Sequence, residues 1–190
     1  MTQNNALVPF LLAESGNRIS HNILSIAGGV LLISLLAQIA IPLPFSPVPI
    51  TGQTFGVALT SLLWGRKRAV TVLISYFLLG ALGLPVFALG KSGFSLGPTS
   101  GYLIGMLIAS FWMGFLADSA WTKTFGRTWI AAFSGSVIIF SFGLLGLSFF
   151  LPQSEILSAG LLPFLPGDAI KTLLARSIAY NSTQKLEIQK

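Results

Sequence analysis

Of the chain's 190 residues, 53% are hydrophobic and 8% charged, the formal net charge is +6 and cysteine is absent. With a mean hydropathy of +0.82 this is the composition of an integral membrane protein, not of a water-soluble domain. The missing cysteines exclude disulfides, thiolate metal sites and cysteine nucleophiles.

Residues 1–21 have no basic n-region and one short apolar run, LVPFLLA, so they read as a polar lead-in and not as a cleaved signal peptide. A hydrocarbon core about 30 Å thick needs about 20 apolar residues per helix. Six blocks qualify or come close: 22–41, 50–64, 69–89, 100–117, 128–151 and 159–180. The connectors between them are too short for a soluble domain. The expectation is one integral membrane domain over 1–190, an all-α polytopic protein with a six-transmembrane-helix bundle over 22–180 and a short tail, 181–190.

The first block, NILSIAGGVLLISLLAQIAI, sets small residues among branched aliphatics. Small side chains let a neighbouring helix approach closely, because lipid offers no hydrophobic drive for association. The neighbour is either the protein's own bundle or another membrane subunit. Next comes PLPFSPVPI, whose four prolines fix φ and lack N–H groups, so it is an extended ribbon and no helix. The second block is short and begins ITGQTFG; a short segment interrupted by Gly and Pro points to a transporter's binding site. A tight hairpin without a ligand is the competing reading.

The third block runs into GALGLPVFALGKSGFSLGPTSGYLIG, where glycine and proline break any long helix. Lys91 lies in this loop, either folding over a pocket or simply solvated. Gly101 and Gly105 mark a close helix neighbour, and Tyr102 between them is expected to put its hydroxyl at the membrane interface. The fifth block is apolar all round and offers no candidate chemistry.

The sixth block holds Asp168 and Lys171 in LPFLPGDAIKTLLARSIAY. An ionisable group well inside a span costs roughly 2.5–3.5 kcal/mol on insertion scales, which makes it a functional candidate. Residues three apart share a helix face, so the pair presents an acceptor and a donor together. The alternative is a helix cap: Asp168 follows Pro166 and Gly167, where a carboxylate suits the first turn, and Lys171 pairs with it. Arg176 is expected to snorkel toward the inner interface.

An isoelectric point near 10.1 would suit nucleic acid, but topology explains it. With both ends on one side, that side collects Arg18, Arg66, Lys67, Arg68, Lys123, Arg127, Lys185 and Lys190, against Lys91 alone on the other. The bias puts both termini in the cytoplasm, and no nucleic-acid partner is expected. His21 has no second ligand beside it, and there is no HExxH, no paired carboxylate cluster and no GxxxxGK[ST]. No metal, no cofactor, no catalytic residue and no enzyme activity are expected.

Four segments, IPLPFSPVPITGQTFGV (41–57), LLGALGLPVFA (78–88), LGPTSGYLIG (96–105) and PFLPGDAIK (163–171), resemble the BioY family in order and spacing. These are biotin-specific substrate-binding membrane proteins, the S components of energy-coupling-factor (ECF) transporters. The resemblance implies a bacterial cytoplasmic membrane protein with an outward-facing pocket roofed by the loops after spans one and three. It implies biotin as ligand, an ECF transmembrane coupling subunit and ABC ATPases as partners, and ATP hydrolysis on those separate subunits. Asp168 and Lys171 would meet the polar groups of biotin, with Gln53, Thr51, Tyr76 and Lys91 as further polar contacts and Phe45, Phe87 and Tyr102 as walls. Ser25, Gly29 and Ser34 would form the face toward the coupling subunit. The chain departs from the family pattern at LGKSG, usually a glycine run, and at Ser100. The competing functions are transport of another small vitamin-like molecule, with partners or alone, a purely structural bundle, and an intramembrane enzyme.

Overall fold

A computed structural model describes residues 18–93 and 96–188; most of the lead-in and the last two residues of the tail lie outside them. The first apolar block becomes α1 (Arg18–Gln38). It ends three residues earlier than expected because Ala40–Leu43 (β1) and Ser46–Thr51 (β2) pair as an antiparallel hairpin, Ala40 opposite Thr51 and Ile41 opposite Ile50. The proline-rich stretch is thus extended, as its fixed φ values require. Ser46 Oγ donates to the Ala159 carbonyl at 2.7 Å, which ties the hairpin to a distant part of the chain.

The second and third blocks form α2 (Gln53–Ala81), broken at Gly65, whose φ of 72° and ψ of 175° are open to glycine and hostile to other residues. The two limbs run antiparallel. Gln53 Nε2 reaches Tyr76 Oη at 2.7 Å across 23 residues, a separation that would be about 34 Å along a straight helix. The second limb stops at Ala81, short of the expected 89, because Gly83 at φ +97° begins an irregular loop containing Pro85. Gln38 fixes that loop to the end of α1, donating to the Phe87 carbonyl at 3.2 Å and accepting the Gly90 N–H at 3.0 Å.

Then follow α3 (Ser100–Asp118), α4 (Phe125–Leu147), the short α5 (Gln153–Gly160) and α6 (Leu165–Ile188). Ser100 has a structural use: its hydroxyl accepts the Gly97 N–H at 2.8 Å and donates to the Gly97 carbonyl at 2.6 Å, closing the turn that starts α3. The α3–α4 seam is a close backbone approach. A Cβ on Gly101 would collide with the Phe142 carbonyl and stand 2.9 Å from the Gly146 Cα. The sequence did not signal α5. It carries the chain back inward, so α6 begins at 165 and not at 159, and Asp168 comes level with Ser136 in the middle of α4.

The protein is therefore an all-α polytopic bundle with six crossing segments: α1, the two limbs of α2, α3, α4 and α6. Three of them, Ser20–Gln38, Ser100–Asp118 and Phe125–Leu147, are long and apolar enough to span by themselves. Arg66, Lys67 and Arg68 at the turn of α2 share an end of the bundle with Asp118. There the Asp118 carboxylate accepts the Arg66 N–H at 3.1 Å, and Arg68 donates to Asn22 near the start of α1 at 2.6 Å. Lys91 lies at the opposite end, beyond the point where α1 meets its loop.

Candidate functional site

A cavity of about 470 Å³ opens beneath the loop at 87–93 and the end of β2, bounded by both limbs of α2, α3, α4 and the start of α6. Its size falls in the range of small-molecule sites, about 300–1,000 Å³. Most of its wall is apolar: Val48, Phe77, Leu103, Met106, Ile139 and Phe164. The polar groups gather at Thr51, Gln53, Thr54, Asp168 and Lys171, with Lys91 and Ser92 at the loop.

Each polar side chain is held by a neighbouring element. Asp168 Oδ1 accepts from Ser136 Oγ on α4 at 3.0 Å, and Ser136 also meets Thr172 Oγ1 at 3.3 Å. Lys171 Nζ donates to the Thr51 carbonyl at 2.9 Å and to Thr54 Oγ1 at 3.2 Å. An ammonium has three N–H donors, so one remains for a ligand. The carboxylate keeps lone pairs free in the same way. The bonds of Asp168 and Lys171 reach α4 and the β2–α2 junction, so capping α6 does not account for them.

Gln53 is buried at the head of α2, its amide held by Tyr76, whose hydroxyl in turn donates to the Val86 carbonyl at 3.0 Å. Tyr76 is completely enclosed and lies outside the cavity wall. It stands behind Gln53 and supports it, and its ring meets Phe87 edge-on at 5.4 Å between centroids. Phe87 and Tyr102 line the wall as expected. The Tyr102 hydroxyl is not at the membrane interface, however; it is buried and donates to the Gly160 carbonyl at 2.6 Å. Phe45 is the main correction. It sits at the hairpin tip, 62% exposed and off the wall, because β2 and not the turn borders the cavity.

Two contributors were invisible in the sequence. Ser136 lies in the block read as lacking chemistry, yet it binds the site's only carboxylate among the described residues. Thr54, three residues after Thr51, takes one of the lysine's donors.

The face expected to meet a partner also needs correction. Gly29 points inward, and a Cβ there would lie 2.8 Å from Val72 Cγ2. Ser25 and Ser34 are half-buried and bond carbonyls of their own helix, those of Asn22 and Val30. Ala27 and Gly28 are adjacent outward small residues within α1, and Gly28 has no atom within 4 Å of an added Cβ. Among the described residues no group of His, Asp or Glu is placed to hold a metal.

The statistical profile of the BioY family matches residues 5–187. "Biotin transporter BioY" of Thermotoga maritima is 34% identical over 168 residues, 87% of this chain and 98% of the relative. The protein of that name from Rhodobacter capsulatus is also 34% identical, over 79% of this chain and 92% of the relative. A crystal structure described as the S-component for biotin from an ECF-type ABC transporter superposes with a TM-score of 0.80 at 30% identity, covering 88% of this chain and 93% of that one. With the profile spanning the bundle and the cavity residues alike, the chain belongs to the BioY family.

Proposed function

We propose that this chain is the biotin-binding S component of an ECF-type transporter and that the cavity is its biotin site. The observation that carries the reading is the pairing of a preformed apolar cavity with the Asp168 carboxylate and the Lys171 ammonium, each already fixed by a second element and each with hydrogen-bonding capacity to spare. Biotin combines apolar ring surface with a ureido group and a carboxylate. Asp168 is suited to accept a ureido N–H, and Lys171 to donate to a carbonyl or carboxylate oxygen. Thr51, Gln53 and Lys91 are further polar contacts, and Phe87 and Tyr102 are walls.

The family and its relatives are transporters, so the protein is a transport protein and not an enzyme. Uptake then needs an ECF transmembrane coupling subunit and ABC ATPases. We place the docking surface for the coupling subunit on the outward side of α1, at Ala27 and Gly28. The basic end with both termini lies in the cytoplasm, and the cavity faces outward.

The test is biotin binding to the purified single chain, followed by titration calorimetry. Saturable, stoichiometric binding is expected. Uptake of a different small vitamin with no binding of biotin would overturn the assignment.

A further inference from the structure

A hydroxyl in an apolar helix has a ready partner, the carbonyl one turn back on its own backbone. Ser141 on α4 donates in this way to Val137 at 2.8 Å, and on α6 Ser177 and Thr183 donate to Leu173 and Ala179, each at 2.8 Å. Ser136 and Thr172 turn elsewhere. Ser136 Oγ reaches from α4 to Asp168 Oδ1 on α6 at 3.0 Å and meets Thr172 Oγ1 at 3.3 Å.

Counting protons gives the second contact a direction. A hydroxyl carries one proton, and Ser136 commits its own to the carboxylate. Ser136 is therefore the acceptor in its contact with Thr172, and Thr172 is the donor. The chain runs from Thr172 through Ser136 to Asp168, and hydrogen bonds aligned in this way strengthen one another. Thr172 is buried, and neither hydroxyl belongs to the cavity wall, whereas Asp168 does. Whatever the two hydroxyls do for a ligand in the cavity is thus done through Asp168. The bond to a different helix removes the rotamer freedom of that side chain, and the carboxylate's remaining lone pairs serve the cavity.

We propose that Ser136 and Thr172 are positioning residues: from behind the wall they fix Asp168 as a hydrogen-bond acceptor, and so make the cavity select ligands that bring an N–H to that point. This rests on the biotin assignment above, in which Asp168 takes a ureido N–H. An alkylated ureido nitrogen at the same place has no proton to give, and the carboxylate is left without its partner.

The experiment titrates the purified full chain with biotin and with biotin methylated at one or the other ureido nitrogen. The wild type should bind biotin roughly 10- to 150-fold more tightly than one of the two methylated compounds, the range for a hydrogen bond to a charged group. In Ser136→Ala and in the near-isosteric Thr172→Val, affinity for biotin should fall roughly 2- to 12-fold, the range for a typical hydrogen bond. Affinity for that methylated compound should stay near wild type, so the discrimination narrows by the same factor. Thr172→Ser keeps the donor and should keep the discrimination. An equal loss for both ligands would make the hydroxyls mere supports of the bundle and overturn the proposal, as would unchanged discrimination in both Ser136→Ala and Thr172→Val. Wild-type protein that binds biotin and both methylated compounds alike would overturn it too, while leaving the biotin assignment standing. Wild-type protein that binds no biotin would overturn both.

Discussion

Lys171 joins three elements through one ammonium: its own helix, the Thr51 carbonyl at the end of β2 and the Thr54 hydroxyl on α2. A charge-assisted hydrogen bond contributes roughly 1.5–3 kcal/mol, or about a 10- to 150-fold change in affinity. Lys171→Ala and Asp168→Asn should each weaken biotin binding within that range while the protein purifies as a monodisperse species. Isothermal titration against both variants checks this, and wild-type affinity in Lys171→Ala would remove the lysine from the site. Tyr76→Phe is a milder case. It removes the hydroxyl that Gln53 donates to and that itself donates to Val86. We expect stability to fall by roughly 1 kcal/mol, the net worth of a typical hydrogen bond, with a smaller loss of affinity than for Lys171→Ala. Parallel thermal melts and titrations would separate the two effects.

At the scale of elements, α1 shows how neighbouring glycines differ in consequence. Gly28→Leu meets open space, whereas Gly29→Leu drives a side chain into Val72. The first should leave biotin binding near wild type and reduce uptake; the second should lower thermal stability as well. Binding to purified protein beside uptake in cells distinguishes them, and normal uptake in Gly28→Leu would free that face from coupling. The spans were legible because long apolar runs leave few alternatives in a membrane. Their ends were not. Ile39, Ala40 and Ile41 are as apolar in a strand as in a helix, so hydropathy extended α1 into β1. Asp168 and Lys171 stood out against an uncharged background. Ser136 did not, since a serine in a membrane helix commonly bonds its own backbone, as Ser34 and Ser141 do here; only the fold brings it to Asp168. The exposure of Phe45 depends on the orientation of the hairpin, which no local pattern specifies.

At the scale of the whole molecule, the ends of the bundle are chemically distinct, with Arg66, Lys67 and Arg68 at one and Lys91 at the other. Cysteine is absent from the sequence, so single cysteines can report topology without background. Phe45→Cys and Ser92→Cys should react with an impermeant maleimide in intact cells, and Lys67→Cys only after lysis. The reverse pattern would invert the orientation proposed for the cavity.

The turn at Gly65 has a consequence for how the chain is made. The first limb of α2, from Gln53 to that glycine, is too short to insert stably by itself, and it carries Gln53, Thr60 and Ser61 toward the interior. None of these needs a third helix to satisfy it. Thr60 donates to Gly56 at 2.8 Å, Ser61 to Val57 at 2.6 Å, and Gln53 finds Tyr76 on the second limb. A single-residue reversal lets the limbs leave the insertion machinery as one helical hairpin, with Gln53, Thr60 and Ser61 already matched before α3 has been synthesised.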